Sequence, residues 1–211
     1  MIYAVLADDL TGAADAGIEF AQAGWRTRAL RGAWQAADLH EAEVVVIDTA
    51  SRAAAPAAAY AAVQSAAARL AQAGVRIVYK KIDSTLRGQL GAEIDAVLDG
   101  CGLALALVCP AFPDAGRVLH AGVLYVDGVP VAQSAAGRDP VTPVRESHLP
   151  TLLASQTRRS VLHWPRLAPG QATAPAAALP DAGVIVVDAL EEGDLARLVR
   201  AALRAPQPLL L

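Results

Sequence analysis

The chain has 211 residues, 55% of them hydrophobic and 18% charged, with a mean hydropathy of +0.36, enough to build one sizeable core and to argue against disorder. A formal net charge of -3, 4% aromatics and the lack of a basic tail exclude a phosphate-backbone clamp and a base-stacking platform, so nucleic acid is not an expected partner. Cys101 and Cys109 match no metal-ligand spacing, acids appear too early for a signal peptide, and the apolar stretches are alanine-rich and helix-periodic, so we expect a soluble protein of the reducing cytoplasm with no membrane partner.

Short β-branched runs alternate with alanine-rich stretches. Residues 2–7, 44–47, 76–79, 103–108 and 184–187 are apolar throughout, the pattern of strands buried on both faces. Between them, residues 11–23, 54–73, 89–98 and 191–203 have helical length and composition, with Gly24, Gly74 and Gly100 placed where helices stop. The βαβα order predicts an α/β fold: a doubly wound, mainly parallel sheet with helices on both faces. Asp127-Gly128, between the β-branched runs of residues 123–132, predicts a small projecting β-hairpin. Residues 133–147 hold Gly137, Asp139, Pro140 and Pro143 without a period, and a loop of that length is functional or disordered. Residues 165–180 read as a loose surface crossing. The chain ends on Pro208-Leu209-Leu210-Leu211, an apolar strand start that suggests either a domain cut from something longer or a docked terminal strand.

In open parallel sheets, ligands bind beyond the carboxyl ends of the strands. Four polar clusters follow apolar runs: Ala7 to Gly12, Asp48 to Arg52, Lys80 to Gly88, and Cys109 to Pro113 with Gly116-Arg117. The topology predicts that all four line one crevice. Helix capping explains one acid of Asp8 and Asp9; the second adds like-charge repulsion and so marks a hydroxyl, metal or proton site. A phosphatase-like reading of D-D-L-T-G is weakened by Leu10, which stands where a second acid is needed. Lys80 and Lys81 are the only two lysines among 18 basic residues, which points to a need for a compact ammonium at this strand end. Neighbouring strand residues face opposite ways, so one lysine should reach the crevice, and Lys81 is preferred. Asp83, Ser84 and Arg87 can hold an anion, with Asp83 or Ser84 also capping the next helix, and Arg52 suits a carboxylate or phosphate. The widely spaced His40, His120, His148 and His163 give no zinc pattern; His120 alone lies near the expected crevice. Neither of the commonest Gly-rich phosphate motifs occurs.

The run A-D-D-L-T-G-A (residues 7–13), D-T-A-S-R (48–52), K-K-I-D-S-T-L-R-G (80–88), C-P-A-F-P-D-A-G-R (109–117) and D-G-V-P-V (127–131) resembles the N-terminal domain of the four-carbon acid sugar kinase family. The resemblance covers the whole chain. It implies a sugar-acid-binding half, residues 1–211, of a two-domain kinase acting on erythronate, threonate or a 3-oxo-tetronate. ATP and Mg²⁺ would arrive through a C-terminal nucleotide-binding domain absent from this chain, so the isolated domain should not turn over. It further implies substrate contacts from Asp8, Asp9, Arg52, Lys81, Asp83, Ser84, Arg87 and Arg117, with Asp9, Lys81 and Asp83 catalytic. On this reading Arg52 and Arg87 hold the substrate carboxylate, Asp9 or Asp83 orients the attacking hydroxyl, and Lys81 offsets phosphoryl charge. The alternative is a stand-alone module that binds a small anion without catalysis; a homodimer is compatible with either.

Overall fold

The structure is a computed structural model that describes residues 2–167, 179–205 and 208–211. Strands β1 (Tyr3–Ala7), β2 (Thr27–Arg31), β3 (Val44–Asp48) and β4 (Arg76–Lys81) form a parallel sheet in the order β2-β3-β1-β4. A second parallel sheet has the order β5 (Leu105–Val108), β10 (Gly183–Val187), β9 (Val161–Trp164). The terminal residues join them. Lys80 N–H donates to Leu211 O at 2.7 Å on one side, and on the other Leu107 N–H donates to Leu210 O at 2.9 Å. The apolar C-terminal segment is thus docked between β4 and β5, with Leu210 buried and bridged to Ala106.

Helices cover both faces, as expected for a doubly wound fold. Helix α1 (Leu10–Gln22) packs Ala13 and Ala16 on Val5, Ala7, Val44 and Val46. On the opposite face, α2 (Pro56–Gln72), α3 (Leu90–Cys101) and α4 (Leu149–Gln156) enclose Ala4, Leu6, Val45 and Ile47 with Val63, Leu70, Ile94 and Leu153. Helix α5 (Glu192–Leu203) covers Leu105, Leu107, Ile185 and Val187 through Leu198 and Ala201. Alternate residues of each central strand therefore enter different clusters, which is why the strands read as continuous apolar runs. Pro56 starts α2 at a position where its missing N–H is harmless.

Several details differ from the sequence reading. Gly100 does not end α3; a Cβ there would meet Ala67 Cβ at 2.8 Å, so it is a close-contact point between α3 and α2, and Gly102 (φ 65) makes the stop. Strands β2 and β9 escape sequence detection because they are exposed edge strands, TRALR and VLHW, with polar residues and no buried run. The hairpin exists as β7 (Val123–Val126) and β8 (Val129–Pro130), turned by Asp127 (φ 50) and Gly128 (φ 78), and β6 (Arg117–His120) adds a third antiparallel strand. The loose crossing expected over residues 165–180 falls largely outside the described residues. No helix among the described residues is long and apolar enough to cross a membrane.

Candidate functional site

The carboxyl ends of β3, β1 and β4 lie side by side, because Ala7 is in register with Asp48 on one side and Lys81 on the other. The segments leaving them must therefore emerge at one sheet edge. Asp9 caps α1, its Oδ1 accepting from Gly12 N–H at 2.7 Å. The loop after β3 is pinned to the loop after β1: Ser51 and Arg52 N–H donate to Asp8 O at 3.0 and 3.1 Å, and Thr49 Oγ1 donates to Ala7 O at 2.8 Å.

Arg52 ties the acids together. Its Nε and Nη2 donate to the two oxygens of Asp8 at 2.7 and 3.0 Å, its Nη1 donates to Asp9 Oδ2 at 2.5 Å, and Nη2 stands 3.9 Å from Asp83 Oδ1. Such a fork-on-carboxylate geometry is the strong form of the ion pair. Burial alone would lower the Arg52 pKa, but the hydrogen bonds and charges of Asp8, Asp83 and Asp9 raise it, so the guanidinium is permanently charged. Gly88 (φ +97) lets the 83–88 loop approach Arg52, whose Cγ would lie 3.3 Å from an added Cβ.

Asp83 organises its own loop. Its carboxylate accepts from Thr85 Oγ1 at 2.5 Å, Arg87 N–H at 3.1 Å and Arg87 Nε at 2.7 Å. Burial pushes its pKa up, yet the hydrogen bonds from Arg87 and Thr85 with the nearby Arg52 charge outweigh this and hold it below the ordinary carboxylate value. It does not cap α3, whose N-cap is Gln89. Arg87 Nη1 also reaches Asp139 Oδ2 at 3.3 Å. Asp139 in turn accepts from Thr142 and Val141 N–H at 2.7 and 2.9 Å, and these backbone bonds, with Arg87, lower its pKa to about 2. Leu86 (φ 65) and Ala50 (φ 50) hold left-handed backbone in these turns, offset by Leu86 N–H to Asp83 O at 3.0 Å and Ala50 N–H to Asp48 Oδ1 at 2.8 Å.

The two lysines divide as alternation requires. Lys80 is fully buried, 2.7 Å from Glu93 Oε2 on α3, and donates to Lys81 O at 2.9 Å. Lys81 turns to the other face, donating to Ile82 O at 2.8 Å beside α1. Gly12 makes room for it: a Cβ there would lie 3.0 Å from Asp9 Oδ1, 3.4 Å from Lys81 Cγ and 3.8 Å from its Nζ. Burial pulls the Lys81 pKa below the ordinary lysine value against the opposing charges of Asp8 and Asp83.

The predicted residues are spread over three clefts, where the sequence led us to expect one. The first, about 360 Å³, is lined by Asp8, Asp9, Arg52 and Arg87 among the expected residues, with Arg31, Asp48 and the Asp139–Thr142 turn. The second, about 500 Å³, is lined by Lys81, Ser84 and Arg117 with Cys109 to Phe112; Arg117 Nη1 donates to Ser84 Oγ at 2.6 Å. A third, of about 530 Å³, is lined by Arg87 and Arg117 with Thr85 and Asp127. Asp83 lines none of these, being gripped by Arg87 and close to Arg52. His120 is exposed and lines none of them. All three nitrogens of Arg52 and of Arg87 already donate to aspartates of the chain itself. Arg31 was missed because β2 was missed; Asp139 stood in the aperiodic loop whose length already marked it.

The result is a doubly wound α/β domain with charged, strand-end clefts of small-molecule size. The family model of the sugar-binding N-terminal domain matches residues 3–211. A D-threonate kinase of Bordetella bronchiseptica is 48% identical over 207 residues, 93% of this chain and 49% of that protein. A D-erythronate kinase of Heliobacterium modesticaldum is 38% identical over 94% of this chain and 47% of its own length. A crystal structure of a Bordetella bronchiseptica protein, a domain-swapped dimer with bound citrate, superposes with a TM-score of 0.87 at 44% identity, covering 100% of this chain and 53% of that one. The chain belongs to the sugar-binding N-terminal domains of the four-carbon acid sugar kinase family. It spans about half the length of the curated relatives it matches.

Proposed function

We propose that the chain is the N-terminal, sugar-acid-binding domain of a two-domain kinase that phosphorylates a four-carbon acid sugar such as threonate or erythronate. The observation that carries this reading is the convergence of Asp8, Asp9, Arg52, Lys81 and Asp83 at three adjacent strand ends, in a chain whose relatives are named as kinases of these acids. The sugar acid occupies the first cleft. ATP and Mg²⁺ are assigned to the C-terminal nucleotide-binding domain, and the triphosphate end approaches by the second cleft, where Lys81, Ser84 and Arg117 supply two cations and a hydroxyl. Bound citrate in the Bordetella structure supports a small carboxylate ligand, and its dimeric state supports a dimer here. The free Cys101 and Cys109, their pKa values raised by burial to about 11 and about 12, suit the reducing cytoplasm.

Arg52 fixes Asp8 and Asp9 rather than the substrate. Asp9 is 26% exposed against 3% for Asp8 and 9% for Asp83, so Asp9 is the acid that meets the attacking hydroxyl. The hydroxyl oxygen bonds to the γ-phosphorus as ADP leaves, the proton passes to Asp9, and Lys81 offsets the phosphoryl charge. Asp83 acts by holding Arg87 and the turn beneath the cleft. The test is ADP release by the complete two-domain protein with D-threonate and D-erythronate. We expect turnover that Asp9→Asn and Lys81→Met each lower at least about 100-fold, the scale of a general base or a charge-stabilising group. Ligand binding without ADP release would leave a binding module; neither binding nor release with any four-carbon acid would overturn the proposal.

A further inference from the structure

Resting on the sugar-acid reading of the first cleft, a further question is which group meets the substrate's carboxylate. An anionic ligand needs a cation with free donors. Arg52 is neutralised by Asp8 and Asp9, to which Nε, Nη1 and Nη2 all donate, and Arg87 by Asp83 and Asp139, so what each retains is only a second N–H on its terminal nitrogens. Arg31 differs. It is the last residue of β2, 62% exposed at the cleft, and only its Nε is engaged, 3.0 Å from Asp48 Oδ2; its two terminal nitrogens have no partner among the described residues.

Asp48 supplies a second, independent observation. It is 1% exposed, lines the same cleft, and pairs in register with Arg31 as the final rung of β2 and β3. Its Oδ1 is used by Ala50 N–H, but its buried Oδ2 makes no hydrogen bond among the described residues, the Arg31 nitrogen being near without hydrogen-bond geometry. A buried carboxylate oxygen left in that state is costly unless a donor arrives. Neighbouring strands stand about 4.8 Å apart. The rung thus offers a cation and an acceptor side by side, the complement of an acid whose carboxylate and donor hydroxyl sit on adjacent carbons.

We propose that Arg31 and Asp48 form a recognition subsite for the α-hydroxycarboxylate end of the substrate: the Arg31 terminal nitrogens donate to the carboxylate and Asp48 Oδ2 accepts from the 2-hydroxyl. The opposite end of the sugar acid then lies toward Asp9. No covalent step is involved, and Arg31 and Asp48 are specificity determinants rather than catalytic residues.

The test is calorimetric titration of the chain with D-threonate, with 3,4-dihydroxybutanoate, which lacks the 2-hydroxyl, and with the uncharged polyol threitol. The wild type should prefer threonate to each of the other two by at least about tenfold, the discrimination a charge-assisted hydrogen bond provides. Arg31→Gln should weaken threonate and 3,4-dihydroxybutanoate together while leaving threitol within about twofold, and Arg31→Lys should restore part of the loss. Asp48→Asn should erase the preference for the 2-hydroxyl. Because Arg31 is exposed on an edge strand, its variants keep the fold, and an unchanged melting temperature verifies this. Threonate binding that is indifferent to Arg31→Gln overturns the subsite alone. A wild type that binds none of the three ligands overturns the sugar-acid reading and the subsite with it.

Discussion

Replacing Arg52 by alanine tests the organising ion pair of the cleft. The guanidinium serves Asp8 through two hydrogen bonds and Asp9 through a third, with Asp83 3.9 Å away. Asp8 is only 3% exposed and Arg52 16%, so little water can replace the lost partner. Removing one member of a buried pair costs about 3–5 kcal/mol; the slight exposure of Arg52 places this case at the lower end, about 3 kcal/mol. For a domain of this size that corresponds to a fall of about 6–12 °C in melting temperature. The assay is urea unfolding of the chain followed by tryptophan fluorescence, for which Trp34 is a buried reporter. Repeating the substitution in an Asp8→Asn background should recover about 2 kcal/mol as coupling energy. Arg52→Lys should still lose more than about 1 kcal/mol, because an ammonium cannot span both Asp8 oxygens and Asp9. If Arg52→Ala costs less than about 0.5 kcal/mol, or the cycle returns no coupling, the guanidinium is not the counterion of the buried acids and the account of the cleft is wrong.

Gly12→Ala places a methyl 3.0 Å from Asp9 Oδ1 and 3.4 Å from Lys81 Cγ; we expect about 1 kcal/mol of destabilisation and a larger fractional loss of turnover in the complete protein, and turnover at the wild-type level would show that the Asp9 to Lys81 spacing is not critical. Lys80→Met and Glu93→Leu should each destabilise by about 3–5 kcal/mol, while the double variant recovers most of this, as measured by the urea midpoint; additive losses would contradict a buried pair. The depressed pKa values of Asp83 and Asp139 stabilise the fold fully above the unfolded carboxylate value near about 4 and are lost as pH falls through the folded values, about 2 for Asp139. The urea midpoint should therefore drop between about pH 4 and pH 2, and Asp139→Asn should flatten that drop; an identical slope in the variant would refute the assignment.

The central strands, the alternation of helices, the hairpin turn and the strand ends that carry the charged residues were legible in the chain. Residues buried on both faces must be apolar throughout, Asp127-Gly128 tolerates two consecutive positive φ angles, and ligands of parallel sheets meet the residues that follow the strands. Even the division of labour between Lys80 and Lys81 follows from the two-residue repeat of a strand. What remained hidden depended on partners far away in sequence. Arg87 meets Asp83 only four residues away, but nothing local says that Asp8, 44 residues distant, takes the Arg52 fork or that Asp139, 52 residues distant, takes the remaining Arg87 nitrogen, and nothing in TRALR says that Arg31 ends an edge strand beside Asp48. The terminal leucines likewise acquire a role only where β4 and β5 leave a strand-wide gap between them. Periodicity and turn chemistry are properties of neighbours along the chain, and so the amino-acid order determined the elements and which ends would carry chemistry. Which cation is neutralised and which stays free is a balance of charges brought within a few ångströms by packing, and only the tertiary structure decided it.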